Sequence, residues 1–309
     1  MNENVLLEKL RRLEKKYEAS GQNLESYLDG LYEADFLNYW DYLHVDTLLS
    51  LQVKRTTLPD EEIFIIYHQV TELYFKLVIS ALEQICFSDS DDRELVKEQL
   101  RRVVRYFDIL MQSFRVMSEG MQTEQFMRFR MALLPSSGFQ SVQFRLIEMM
   151  CTSIDQLQGA SGRAAGAVDS AGEKLDNLYW RFGSTDLASG KKTLTLTRFE
   201  DKYNHTIAAQ ALKFEKLNLN QLLETGAWGN PVDAEIRQLL RELDHKFNVN
   251  WRNAHLRAAS RYLKKAGAEV SATGGTNWTQ YLPPRFQKII FFPSLWEPQE
   301  RENWGIQES

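Results

Sequence analysis

The chain has 309 residues, 43% of them hydrophobic, enough for a sizeable buried core in either one large domain or two. Its net charge of −5 and sequence pI of about 5.7 come from acidic and basic residues interleaved along the chain, so no basic patch is offered to nucleic acid or to an anionic membrane. Two cysteines, Cys86 and Cys151, cannot build a disulfide framework or a Cys-rich zinc site. With no signal-peptide core and no apolar run long enough to span a bilayer, the reading is a cytoplasmic protein whose partner is a small molecule or another protein.

Helical periodicity dominates from the start. Val5, Leu6, Leu10, Leu13 and Tyr17 recur at three- and four-residue steps, which predicts an amphipathic N-terminal helix. A second helix is predicted from Pro59-Asp60-Glu61-Glu62, where proline and three carboxylates suit the positive end of the helix dipole, to about Cys86. Asp91 to about Met117 gives a third, Thr123 to Leu133 a fourth that Pro135 terminates, and Ser137 to about Leu157 a fifth. Residues 158–173 are small and weakly patterned and read as a mobile surface insertion. Helical patterns return at about 199–224 and 232–266. Lys192 to Thr197 alternates like a strand, but one short strand makes no sheet. The run Ala272-Thr273-Gly274-Gly275-Thr276-Asn277 reads as a loop. The expectation is one all-α domain over 1–309, because the candidate site residues lie on both sides of the insertion.

Several residues can carry chemistry. His68 shares a helical face with Phe64, Thr71 and Phe75. It reads either as a core histidine bonded to a backbone carbonyl, or as a functional imidazole, or, with Glu72 at i+4, as half of a metal pair that no second pair completes. His255, with Trp251 and Tyr262 on its face, reads as a core histidine or as an axial haem ligand, for which Ala258 and Ala259 leave the adjacent surface low. Arg128, Arg130 and Arg145 flank Pro135-Ser136-Ser137-Gly138 among Phe126, Phe129, Phe139 and Phe144. Each is a guanidinium stacked on rings or a fork for a carboxylate, and the turn's N–H groups and hydroxyls could reach the same anion. Phosphate-binding glycine loops, the nucleophile elbow, the dinucleotide fingerprint and Cys-x-x-Cys are all absent, which argues against nucleotide chemistry and hydrolytic triads.

Taken together, these segments resemble the tryptophan 2,3-dioxygenase family. The resemblance runs through Tyr39-Trp40-Asp41-Tyr42-Leu43, Phe64-Ile65-Ile66-Tyr67-His68-Gln69 with Glu72-Leu73-Tyr74-Phe75-Lys76, and Phe129-Arg130 to Pro135-Ser136-Ser137-Gly138-Phe139-Gln140-Ser141. It continues at Gln143-Phe144-Arg145, Trp251-Arg252 with His255, Thr273-Gly274-Gly275 and Phe291-Phe292-Pro293.

The resemblance implies an all-helical haem b enzyme, a homotetramer, that adds both atoms of O2 across the indole C2–C3 bond of L-tryptophan to give N-formylkynurenine, as in tryptophan catabolism by the kynurenine pathway. It implies that His255 is the iron ligand, with Trp251, Ser137 and Gly138 also at the haem. His68 would accept the indole N–H, Phe64 would wall the pocket, Arg130 would pair with the substrate carboxylate, and Thr273 would hold its polar end. Tyr39 and Tyr42 match an N-terminal segment, residues 1–50, that reaches a neighbouring subunit's site. The chain departs from the family pattern at Thr276-Asn277-Trp278, where Ser-Ser-Gly is usual, at Tyr74, a usual tryptophan, and over 158–198, which has no clear counterpart. Those departures leave a haem monooxygenase acting on a tryptophan derivative as the alternative, and a helical binding protein without cofactor as a third reading.

Overall fold

The computed structural model describes residues 3–35, 37–88, 92–133, 135–158, 171–185, 189–263 and 283–306. Its contacts divide the chain into two units, Met1–Val53 and Lys54–Ser309. In the first, the amphipathic pattern of Val5 to Tyr17 forms the helix Glu3–Glu18, followed by Leu24–Tyr32, which Asn23 caps by accepting from the Glu25 amide. A short helix Tyr39–Tyr42 leaves both tyrosines more than two-thirds exposed.

The second unit is organised on two long helices, Asp60–Cys86 and Arg93–Gly120, whose apolar residues face each other. Buried positions on the later helix run Val96, Leu100, Val103, Phe107, Leu110, Phe114, Met117. This alternation of four- and three-residue steps keeps one seam against a neighbouring helix. On the earlier helix Tyr67, Thr71, Phe75, Val78, Leu82 and Ile85 answer it. Full burial of each large side chain stabilises the fold by roughly 1.5–3 kcal/mol, so this seam outweighs any intrinsic helix propensity. The start of the earlier helix is pinned by Glu61. Burial alone would raise its pKa, but donors from the Thr56 hydroxyl and the Arg55 and Thr56 amides hold it below the usual value.

Around this pair pack Val142–Cys151, Leu194–Phe214 and Ala234–His245, giving a core that includes Ile147, Met150, Phe199, Phe214, Leu240 and Phe247. A smaller cluster lies beside it: Tyr67, Phe114, Met117, Phe129, Ala254, Ala258 and Tyr262 are buried together, with Phe64, Phe126 and Trp251 packed against them. The fold is all-α; among the described residues the β-structure is a single bridge between Thr185 and Lys192. The alternating 192–197 segment instead enters a helix, because Thr193 caps it by accepting from the Leu196 amide at 3.2 Å. The fourth predicted helix tightens early, Thr123–Phe129 giving way to a 3₁₀ turn Arg130–Leu133 ahead of Pro135. The fifth starts as a 3₁₀ turn Gly138–Gln140 and breaks after Cys151. Cys86 and Cys151 are both buried and unbridged.

From Ala234 to Leu263 the backbone stays helical but widens into a π turn over Lys246–Trp251. Asp244, fully buried just before it, accepts from the amides of Phe291 (3.0 Å) and Phe292 (3.1 Å), from Trp296 Nε1 (2.9 Å) and from Asn248 Nδ2 (2.9 Å). Burial raises its pKa to about 6 against the pull of these four donors, so the carboxylate is ionised at pH 8 and acts only as an acceptor. Asp244→Asn would turn an amide nitrogen toward two of the donors. We expect a loss of about 3 kcal/mol at pH 8 in urea unfolding, a loss under 1 kcal/mol contradicting the assignment.

Candidate functional site

The smaller aromatic cluster brings the two singled-out histidines together. His68, in the third turn of Asp60–Cys86, has its ring 4.1 Å from Phe64 and 5.4 Å from Tyr67. Tyr67 lies 5.9 Å from Phe114, and Phe114 stacks at 6.1 Å on His255, which sits in the helix Arg252–Leu263. The two imidazoles are near enough that charge on His68 depresses protonation of His255.

Each imidazole is conditioned for a distinct role. His68 Nδ1 lies 2.7 Å from the Phe64 carbonyl, which can only accept, so Nδ1 carries the proton and Nε2 keeps its lone pair. The carbonyl-bonded reading and the functional one therefore describe the same tautomer. Burial lowers the His68 pKa, against the Phe64 bond and nearby Glu72, which raise it. His255 is pushed further, to about 4, by burial and then by His68, so its imidazole is neutral at physiological pH and available as a nitrogen ligand. Glu72 accepts from Gln143 Nε2 at 2.7 Å, and among the described residues no third His, Cys, Asp or Glu joins it and His68 in a metal-holding group.

Rings and small residues complete the walls. Phe64 meets Phe129 at 5.9 Å and Phe126 at 6.3 Å, and Trp251 meets Phe114 at 4.7 Å and Phe75 at 5.7 Å. Ala254 and Ala258 are buried on the His255 helix. Arg130 follows Phe129 and is itself buried, with Nη1 3.9 Å from Met127 Sδ. Ser137 is extended and donates its amide to Gln140 Oε1 at 3.0 Å, which holds the turn. Among the described residues a side chain on Gly138 would meet nothing within 4 Å. Tyr39 and Tyr42 belong to the N-terminal unit. Thr273, with Gly274, Gly275 and Trp278, lies outside the described residues, as do residues 159–170 of the expected insertion.

Arg145 is not aimed at a ligand. Its guanidinium donates to Glu148 (3.0 Å), the Tyr179 hydroxyl (2.7 Å) and the Phe139 carbonyl (3.3 Å). Arg252 reaches the same Glu148 and Tyr179 from the other side. Glu148, Tyr179 and Arg252 carry no sequence signal as a set, because residues 31 and 104 positions apart share no helical face.

These residues fit an iron porphyrin in their chemistry. Among the described residues no three His, Cys, Asp or Glu side chains converge, and His255 offers one neutral nitrogen of the kind that can hold a haem iron. A neutral imidazole, flanking alanines and an aromatic wall are what such a flat apolar group needs.

Comparison with known proteins points the same way. The family model described as tryptophan 2,3-dioxygenase matches residues 28–157. A tryptophan 2,3-dioxygenase of Ruegeria sp. (strain TM1040) is 43% identical over 279 residues, covering 85% of this chain and 92% of that protein. One from Herpetosiphon aurantiacus is 30% identical over 271 residues, 84% of this chain and 96% of its own length. The rat protein of the same name matches more locally, 40% over 124 residues.

Proposed function

This chain belongs to the tryptophan 2,3-dioxygenase family, and from that premise we propose the site's division of labour in opening the indole C2–C3 bond of L-tryptophan with O2 to give N-formylkynurenine. The observation that carries the reading is the pairing, in one aromatic cluster, of a neutral His255 with a His68 whose Nε2 is left as an acceptor.

His255 would hold haem b through its neutral imidazole, with Trp251, Ser137 and Gly138 along the group. When bound, the haem iron supplies O2 activation. The rest falls to the chain's own side chains. His68 Nε2 accepts the indole N–H and so fixes the ring's orientation. Phe64, with Phe126 and Phe129 behind it, walls the indole and keeps water out. Arg130 offers a planar fork to the carboxylate, a match that lysine cannot reproduce, and so fixes the amino acid's polar end. Thr273 is assigned to that same polar end. Holding both ends leaves the indole C2–C3 bond as the part presented to the oxidant.

We further propose a homotetramer in which residues 1–50, through the exposed Tyr39 and Tyr42, complete a neighbour's site, within a single catalytic domain over 1–309. No helix of the described residues is long and apolar enough to cross a membrane. The unbridged thiols of Cys86 and Cys151 suit a reducing, cytoplasmic setting.

The test is stoichiometric. Haem-loaded, reduced protein given L-tryptophan in air should consume one O2 for each tryptophan lost, with N-formylkynurenine as the product. Haem uptake without tryptophan-dependent oxygen consumption would defeat the reading.

A further inference from the structure

The segment between the two halves of the site sends one side chain into the middle of the protein. Tyr179 opens the short helix Tyr179–Phe182 and is buried together with its neighbours Leu178, Trp180 and Arg181. Arg181 anchors the same turn outward on Glu200 (2.5 Å) and Asn204 (2.9 Å), so Tyr179 is held from behind.

The hydroxyl of Tyr179 has its full complement of bonds. It donates to Glu148 Oε1 at 2.6 Å and accepts from Arg145 Nη1 at 2.7 Å and Arg252 Nη2 at 2.9 Å. The two guanidiniums lead in opposite directions. Arg145, on Val142–Cys151, reaches back to the Phe139 carbonyl and so restrains the turn containing Ser137 and Gly138. Arg252, three residues before His255, also donates to Asn248 Oδ1 at 3.1 Å, which fixes the first turn of the His255 helix against the π turn before it. Glu148 bridges both cations, at 3.0 and 3.2 Å. A π turn sets the rotation of the helix that follows it, and here buried charge-assisted bonds lock that rotation.

We infer that Tyr179 is a positioning residue: its hydroxyl ties the Ser137–Gln140 turn to the His255 helix, so that both walls of the proposed haem pocket hold one spacing. The inference rests on the functional reading above for its haem readout but not for the coupling itself. It gives the 158–198 segment a task, that of delivering the hydroxyl on which the two arginines converge. Loss of the hydroxyl leaves one hydrogen of Arg145 Nη1 without its acceptor and Glu148 Oε1 with one donor fewer, while Arg252 Nη2 keeps Glu148 and Asn248, so the tie between the two arginines is cut on the Arg145 side.

The test uses Tyr179→Phe in the full chain, with Phe214→Leu as a control that loosens the main core away from the network. Two readouts are taken: haem release into excess apomyoglobin, and amide exchange of residues 138–141 and 252–258 in the haem-free protein. Tyr179→Phe is expected to speed haem release at least tenfold and to raise exchange in both segments together, while Phe214→Leu does neither at a similar loss of thermal stability. Release within twofold of the parent, or equal acceleration by Phe214→Leu, would overturn the inference. If the parent takes up no haem, the functional reading falls. Joint exchange at the two segments then still supports the coupling, and unchanged exchange overturns it.

Discussion

Replacing His255 by alanine is expected to abolish stable haem binding while leaving the helical fold in place. The imidazole lies in a cluster of rings and methyl groups, Phe114, Trp251, Ala254 and Ala258, that packs without it, so truncation should cost only about 1–2 kcal/mol of folding stability. Haem would lose the nitrogen donor assigned to it, among described residues that offer no alternative cluster of ligands. Absorbance titration with haem and far-ultraviolet circular dichroism separate the two effects. Full haem occupancy in His255→Ala would refute the assignment.

The same substitution carries a pH signature in the haem-free protein. His255 is held at about 4 in the fold against an ordinary value of 6.5, so between these limits the unfolded chain binds the extra proton. Its contribution to stability is therefore complete above pH 6.5 and is lost as the pH falls toward 4. Asp244 acts in the opposite sense, because its raised pKa of about 6 makes the folded state the better proton binder between about 4 and 6. In the parent chain the two slopes oppose each other. In His255→Ala the loss of stability between pH 6.5 and 4 should be smaller than in the parent by the His255 share, with the depressed His68, His245 and Glu61 still acting in its sense and Asp244 against it. An unchanged pH profile in the variant would mean that the imidazole titrates normally.

Arg130→Leu should weaken tryptophan binding by about 3 kcal/mol, roughly a hundredfold in apparent affinity, because a carboxylate bound in a buried site would lose its charged partner. The effect should fall on KM far more than on haem content, since Arg130 is assigned to the amino acid and not to the cofactor. It should also shrink for an indole substrate lacking the carboxylate, for which parent and variant ought to bind alike. Equal weakening for both ligands would show that Arg130 shapes the pocket without meeting the carboxylate.

The parts of the fold that depend on local chemistry were the readable ones. Pro59-Asp60-Glu61-Glu62 marks a helix start because proline and carboxylates suit that end, and the helix begins at Asp60 and ends at Cys86. Thr193 misleads in the same terms: alternation over 192–197 suggests a strand, yet a threonine cap three residues before Leu196 starts a helix. The juxtaposition of His68 with His255 followed from the family resemblance, since helical periodicity alone cannot say which distant faces meet. Arg145 was legible as a cation among rings, but its partner was not. Glu148, Tyr179 and Arg252 come from three elements, and a buried ion network of that kind leaves no periodic trace.

Oxygen isotope labelling tests the central claim most directly. Haem-loaded parent protein, reduced and supplied with L-tryptophan under uniformly labelled dioxygen, should release a product two labelled oxygen atoms heavier than tryptophan, and Arg130→Leu should do so only at much higher tryptophan concentration. A product carrying one labelled atom, or unaltered tryptophan beside fully loaded haem, would contradict the account.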